Sequence, residues 1–171
     1  MRTDDLIDAL SRNTEPARPR RGGRAVAAAL IVAVPLALLL MLRQLGLNPA
    51  LDAYLAQPMF WVKLLFGVAL ATTGLWLSLR LARPGVAAGR AAIAPLLPIA
   101  LLWVLAAIAL ATASADEVPA LVFGSSWAVC PTNIATLSLP AFIAMMLALR
   151  TMAPTRLAAA GAAAGLAAGG I

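Results

Sequence analysis

Long uninterrupted apolar blocks constrain this chain more than any other feature. Ala25 to Leu42, Met59 to Leu79, Ala91 to Ala113 and Asn133 to Leu149 each run for 17 to 23 residues with at most one charge. A helix needs about 20 apolar residues to cross the hydrocarbon core of a bilayer. Inside lipid every backbone polar group must be satisfied within the protein, so such blocks become helices. The expected fold is an all-α, polytopic transmembrane helical bundle. Composition agrees: 63% of the 171 residues are hydrophobic and 12% are charged, against roughly half and a quarter in a soluble domain.

The final block, Leu157 to Ile171, has 15 apolar or Gly residues, enough for roughly 22 Å of helix against a core of about 30 Å. The expectation is four full spans plus a truncated fifth, with six in a complete protein. The first block is no cleaved signal peptide. Its 18 residues exceed the usual apolar core of such a peptide, Arg43 follows, and no small-x-small site marks an exit. The domain division is therefore residues 1–24, a polar tail, and residues 25–171, the transmembrane domain.

Charge gives the orientation. With the N-terminus in the cytoplasm, the inner segments hold Arg2, Arg12, Arg18, Arg20, Arg21, Arg24, Arg80, Arg83, Arg90, Arg150 and Arg156. The outer ones hold Arg43, with Lys63 just inside the second span. Positive residues favour the cytoplasmic side. The acidic pair Asp116-Glu117 falls outside. Topology thus accounts for the net charge of +6, and the arginines lack the aromatic interleaving of a nucleic-acid surface. Lys63 is expected to snorkel to the nearby interface beside Trp61.

Several chemistries are excluded or disfavoured. There is no His and a single Cys, so neither an ordinary zinc site nor an intrachain disulfide is available. No cofactor is expected. The spans contain no acid and offer no nucleophile–base pair, which argues against an enzyme. A small transporter or channel subunit is the alternative function, but the spans provide few polar groups, Thr72, Thr73 and Ser78 among them. Gly161, Gly165 and Gly169 repeat every four residues and form a smooth face for close helix packing.

Two short stretches carry functional signals. Thr3 can cap a helix whose dipole favours Asp4 and Asp5, while Leu6, Ile7 and Leu10 share one face. About ten residues do not hold a helix alone in water. On a linker containing Pro16, Pro19, Gly22 and Gly23, this segment reads as a helix that folds onto a partner with an apolar surface and a basic rim. A frayed terminus or a membrane-surface helix is the alternative, although surface helices are usually basic. Cys130 lies near the outer end of the fourth span, followed by Pro131, which suits a helix start. A Cys there is either a reactive thiol or a small hydrophobe packed beside Trp127.

These two stretches also carry a resemblance. Arg2-Thr3-Asp4-Asp5-Leu6-Ile7-Asp8-Ala9-Leu10, the basic linker behind it, and Trp127-Ala-Val-Cys130-Pro131 leading into a Leu-rich span are similar to the NrsF family. These are multi-span inner-membrane negative regulators of bacterial sigma factors. The resemblance implies an anti-sigma factor. It would hold an extracytoplasmic-function (ECF) sigma factor at the membrane through Asp4, Asp5, Leu6, Ile7 and Leu10, and release it on stress. The resemblance also implies a thiol response to oxidants or heavy metals using Cys130 and a second cysteine, which this chain lacks. The expected partners are the sigma factor and the lipid bilayer, with no nucleic acid and no small-molecule substrate.

Overall fold

The computed structural model describes residues 21–47, 49–124, 127–152 and 154–171. Among them are seven α-helices and no strand. In chain order these are α1 (Arg21–Gln44), α2 (Leu51–Leu55), α3 (Pro58–Leu81), α4 (Leu96–Thr112), α5 (Val118–Phe123), α6 (Cys130–Arg150) and α7 (Leu157–Gly169), with a 3₁₀ turn at Gly89–Ile93 before α4. Four helical segments are long and apolar enough to cross a membrane: Gly22–Gln44, Pro58–Leu81, Gly89–Thr112 and Cys130–Arg150. Large apolar side chains cover their outer surfaces, including Ile31, Leu65, Leu97 and Trp103. Water would not tolerate so much exposed apolar area, whereas lipid tails would.

Where the elements differ from the sequence expectation, local chemistry explains it. The third span is not one continuous α-helix. Pro95 and Pro98 lack the N–H groups that would bond back to the previous turn, so the chain enters through 3₁₀ bonds such as Ala94 N–H to Ala91 O at 3.2 Å. The fourth span starts three residues earlier than expected, at Cys130, with Pro131 in its first turn where a missing donor costs nothing. Gly22 and Gly23, expected in a linker, already belong to α1. Two connections fold into the short helices α2 and α5. Trp61 ties α2 to α3 by donating its indole N–H to the Leu55 carbonyl at 3.0 Å.

The bundle is held together by α7. It packs between α3 and α6, and α6 packs in turn against α1. Ala160, Ala163, Ala164, Ala167 and Ala168 of α7 are buried. On α3, Gly67, Ala71, Gly74 and Ser78 follow at spacings of four, three and four and form one stripe of small side chains. A Cβ placed on Gly74 would stand 2.7 Å from the Ala167 nitrogen, and one on Gly170 would stand 2.6 Å from the Ala71 nitrogen. Backbone therefore lies against backbone, in antiparallel sense. The expected glycine face behaves differently. Gly161 and Gly165 meet the side chains of Met146 and Phe142 at 3.8 Å, and Gly169 meets nothing within 4 Å. The close approach is made by the alanine face together with Gly170, because at the glycine face α6 offers α7 only side-chain tips.

Ser78 is fully buried on this stripe, and its hydroxyl has no hydrogen-bond partner. By contrast Thr72 and Thr73 donate back to their own helix, to Val68 O at 2.8 Å and Ala69 O at 2.6 Å. Outside the bundle, Glu117 closes the turn before α5. Its Oε2 accepts the Ser114 N–H at 3.1 Å, while its own N–H donates to the Ser114 carbonyl at 3.0 Å. The Ser114 N–H, and after it the Ser114 hydroxyl, hold the exposed Glu117 carboxyl below its ordinary value.

Three measurements follow from this packing. Gly74→Val places a branched side chain against backbone that cannot yield, so unfolding in mild detergent should be easier by about 1–3 kcal/mol. Gly169→Ala, which meets open space, should leave stability unchanged or slightly raised. Ser78→Ala removes an unpaired buried hydroxyl and should raise stability by about 1 kcal/mol. The Glu117 contact has a depressed folded-state pKa, so it persists above the unfolded value and is lost only as pH falls through the folded one. In micelles the Ser114 amide shift should follow a titration whose midpoint lies below the ordinary Glu value of 4.5. Glu117→Gln should abolish that titration.

Candidate functional site

The antiparallel packing sorts the charged residues to the two ends of the bundle. At one end the start of α1, the end of α3, the 3₁₀ turn, the end of α6 and the start of α7 come together. Leu77, Leu81, Ala82, Ala91, Met145, Leu149 and Ala160 form a single buried cluster there, with Leu30 and Met152 packed against it. Arg24, Arg80, Arg83, Arg90, Arg150 and Arg156 are all exposed around this end. The described acids, Asp52, Asp116 and Glu117, lie in the connections at the other end with Arg43. Each helix thus keeps its charges at its termini, where water can solvate them.

The root of the N-terminal segment is built into the arginine end. Val26 is buried, and a Cβ added to Gly22 would lie 2.5 Å from the Met152 Cε. The first turn of α1 is therefore pressed against the residues just after α6. Sequence reading missed Met152, and no signal in the Arg150-Thr-Met-Ala-Pro-Thr-Arg156 loop singles it out. The expected contact residues Asp4, Asp5, Leu6, Ile7 and Leu10 lie outside the described residues.

At the opposite end, Cys130 is the first residue of α6, and it is a free, exposed thiol. Of the two readings of this residue, the packed hydrophobe is corrected. Trp127 is itself exposed and makes its edge-to-face contact with Phe123, with ring centroids 6.1 Å apart. Both aromatic rings therefore leave the thiol open. Among the described residues no three metal-ligating side chains converge.

The polar groups of the spans do not line a path. Thr72, Thr73 and Thr136 donate to carbonyls of their own helices. Ser138 does the same, to Ala135 O at 3.2 Å. Ser138 also borders a groove of about 390 Å³ between α1, α6 and the end of α7, whose other walls include Val34, Leu38, Met41 and Ile134. No charged side chain lines that groove. Lys63 is exposed one turn into α3.

Comparison with known proteins adds to this geometry. Residues 10–171 match the family described as NrsF, negative regulator of sigma F. The chain is 39% identical over 171 residues to the probable anti-sigma-F factor NrsF of Azospira oryzae. That alignment takes in the whole of this chain and 80% of the relative. It is 42% identical over 189 aligned positions to the anti-sigma-F factor NrsF of Caulobacter vibrioides, again over the whole chain and 80% of the relative. No solved structure matches it. With four membrane-length helices, full-length similarity to two such relatives and a family match over nearly its whole length, the chain belongs to the NrsF family, the negative regulators of sigma F.

Proposed function

We propose that this chain is a multi-pass inner-membrane anti-sigma factor. Its N-terminal segment would lie in the cytoplasm and hold a sigma factor of the ECF type away from RNA polymerase. Asp4, Asp5, Leu6, Ile7 and Leu10 would make the contact. Membership in a family of negative regulators supports the regulatory role, and the relatives' names point to a sigma factor as the partner. The gathering of arginines at the end where α1 begins supports a cytoplasmic N-terminus.

One observation carries the mechanism. The helix that begins at the exposed thiol of Cys130 ends beside Met152, which is packed on Gly22 at the root of the tail. The two functional ends are thus joined by one helix of 21 residues, about 30 Å long at 1.5 Å per residue. Modification of Cys130 by an oxidant or a thiol-seeking metal adds bulk or charge at one end of α6. Pro140, which interrupts its hydrogen bonds, offers a point of bending. A shift of α6 against α1 alters the seat of Gly22 and loosens the grip of the tail on the sigma factor. Envelope stress would in this way be read on one side of the membrane and answered on the other.

The test is a pull-down of the sigma factor with the full-length protein in membranes, and with residues 1–24 alone. Wild-type tail should bind, and Leu6→Arg with Leu10→Arg should weaken binding at least about tenfold, the loss of two anchoring apolar contacts. Failure of both tail and full-length protein to retain the sigma factor would sink the proposal. In intact spheroplasts a membrane-impermeant maleimide should label Cys130. Absence of labelling there, with labelling after lysis, would reverse the orientation. Cys130→Ser should retain sigma-factor binding but lose its release by oxidant.

A further inference from the structure

The cytoplasmic end of α3 carries a feature that sigma-factor binding does not use. Trp76, Leu79, Arg80, Arg83 and Val86 line a pocket of about 360 Å³ where α3 gives way to the Arg83-Pro84-Gly85 turn. Arg80 and Arg83, three residues apart, therefore line one opening. The Arg80 Cζ stands 5.8 Å from the centroid of the Trp76 ring, which holds a cation over an aromatic face. No described carboxylate neutralises either arginine, since the described acids lie at the other end of the bundle.

The surface leading to this pocket is equally specific. Leu65, Val68, Thr72, Trp76 and Leu79 succeed one another at spacings of three and four, so they form one stripe along α3. The first four are exposed, and Leu79 is half-buried. The Thr72 hydroxyl is turned back to the Val68 carbonyl, so it does not stand unpaired on the stripe. The stripe is an apolar lane that ends in two cations.

We propose that this is a binding site for an anionic glycerophospholipid. The phosphate sits between Arg80 and Arg83, and an acyl chain lies along the stripe from Leu79 toward Leu65. Guanidinium groups suit phosphate oxygens by their paired donors. The negative end of the α3 dipole opposes an anion with roughly half a charge, which two full positive charges outweigh. A zwitterionic headgroup would bring its own ammonium toward the arginines, and the site therefore selects net negative lipids. This assignment rests on the bilayer placement proposed above, and it is independent of the sigma-factor contact.

The test uses the full chain in nanodiscs, with Trp61→Phe, Trp103→Phe and Trp127→Phe leaving Trp76 as the reporter. Its fluorescence is quenched with dibrominated phosphatidylglycerol or dibrominated phosphatidylcholine at equal mole fraction. The anionic lipid should associate about fivefold more strongly, as expected of two arginines at a membrane surface. Arg80→Gln with Arg83→Gln should bring the ratio near one, and Arg156→Gln, outside the pocket, should preserve it. Equal quenching by both lipids in an inserted chain overturns the site, as does selectivity that survives the double substitution. Loss of selectivity on adding millimolar inorganic phosphate would mean that the pocket takes free phosphate, which overturns the lipid assignment. Should the single-tryptophan chain fold poorly, native mass spectrometry of the otherwise unmodified protein, with and without the double substitution, gives the same decision from the lipids it retains. A chain that does not enter the nanodisc overturns both the site and the bilayer placement.

Discussion

In hydrocarbon, leucine surfaces gain nothing by leaving lipid for one another, so helices associate where their backbones can come close. The contact between α3 and α7 meets that condition. Gly74 and Gly170 leave room that a Cβ would fill, and Ala163 and Ala167 present backbone rather than bulk. Because α7 also packs on α6, and α6 on α1, this one contact joins the first span to the second. Without it α3, with α4 beside it, would part from the group formed by α1, α6 and α7. The unpaired hydroxyl of Ser78 lies on the same stripe.

The same packing gives the molecule its polarity. Antiparallel helices bring Arg24, Arg80, Arg83, Arg90, Arg150 and Arg156 to one end and leave Asp52, Asp116, Glu117 and Cys130 at the other. In the mechanism we propose, a signal at the thiol end would travel the length of a helix to reach the tail. Helix α6 is placed for this, since it starts at Cys130 and closes on Gly22 through Met152. The neighbouring helix α4 is bound far more loosely. It has no buried residue, and its surface belongs to the surroundings rather than to the core.

Much of this was legible in the residues. Apolar block length marked all four membrane-length helices within a few positions, because burial in lipid leaves no other secondary structure open to such blocks. The arginines by themselves marked one end of the bundle. The local corrections came from proline and capping chemistry. Pro95 and Pro98 replace α-turns by 3₁₀ turns, and Pro131 moves the start of α6 forward to include Cys130. The family resemblance agrees with a match that runs from residue 10 to 171, which takes in Trp127 to Pro131 and leaves residues 2–9 outside it.

By itself, then, the sequence determined the helical class, the number of long apolar helices and the grouping of charge, since each follows from the transfer of local segments out of water. Which helices touch was decided only in three dimensions. A glycine repeat at 161, 165 and 169 and a small-residue stripe at 67, 71, 74 and 78 are both plausible packing faces, and a one-dimensional pattern does not say which meets backbone and which meets the tips of Met146 and Phe142. The exposure of Cys130, the seat of Gly22 on Met152 and the pairing of Arg80 with Trp76 belong to the same class. Each depends on how far one helix is rotated and slid against another, and that is set by the summed fit of many weak contacts from distant parts of the chain.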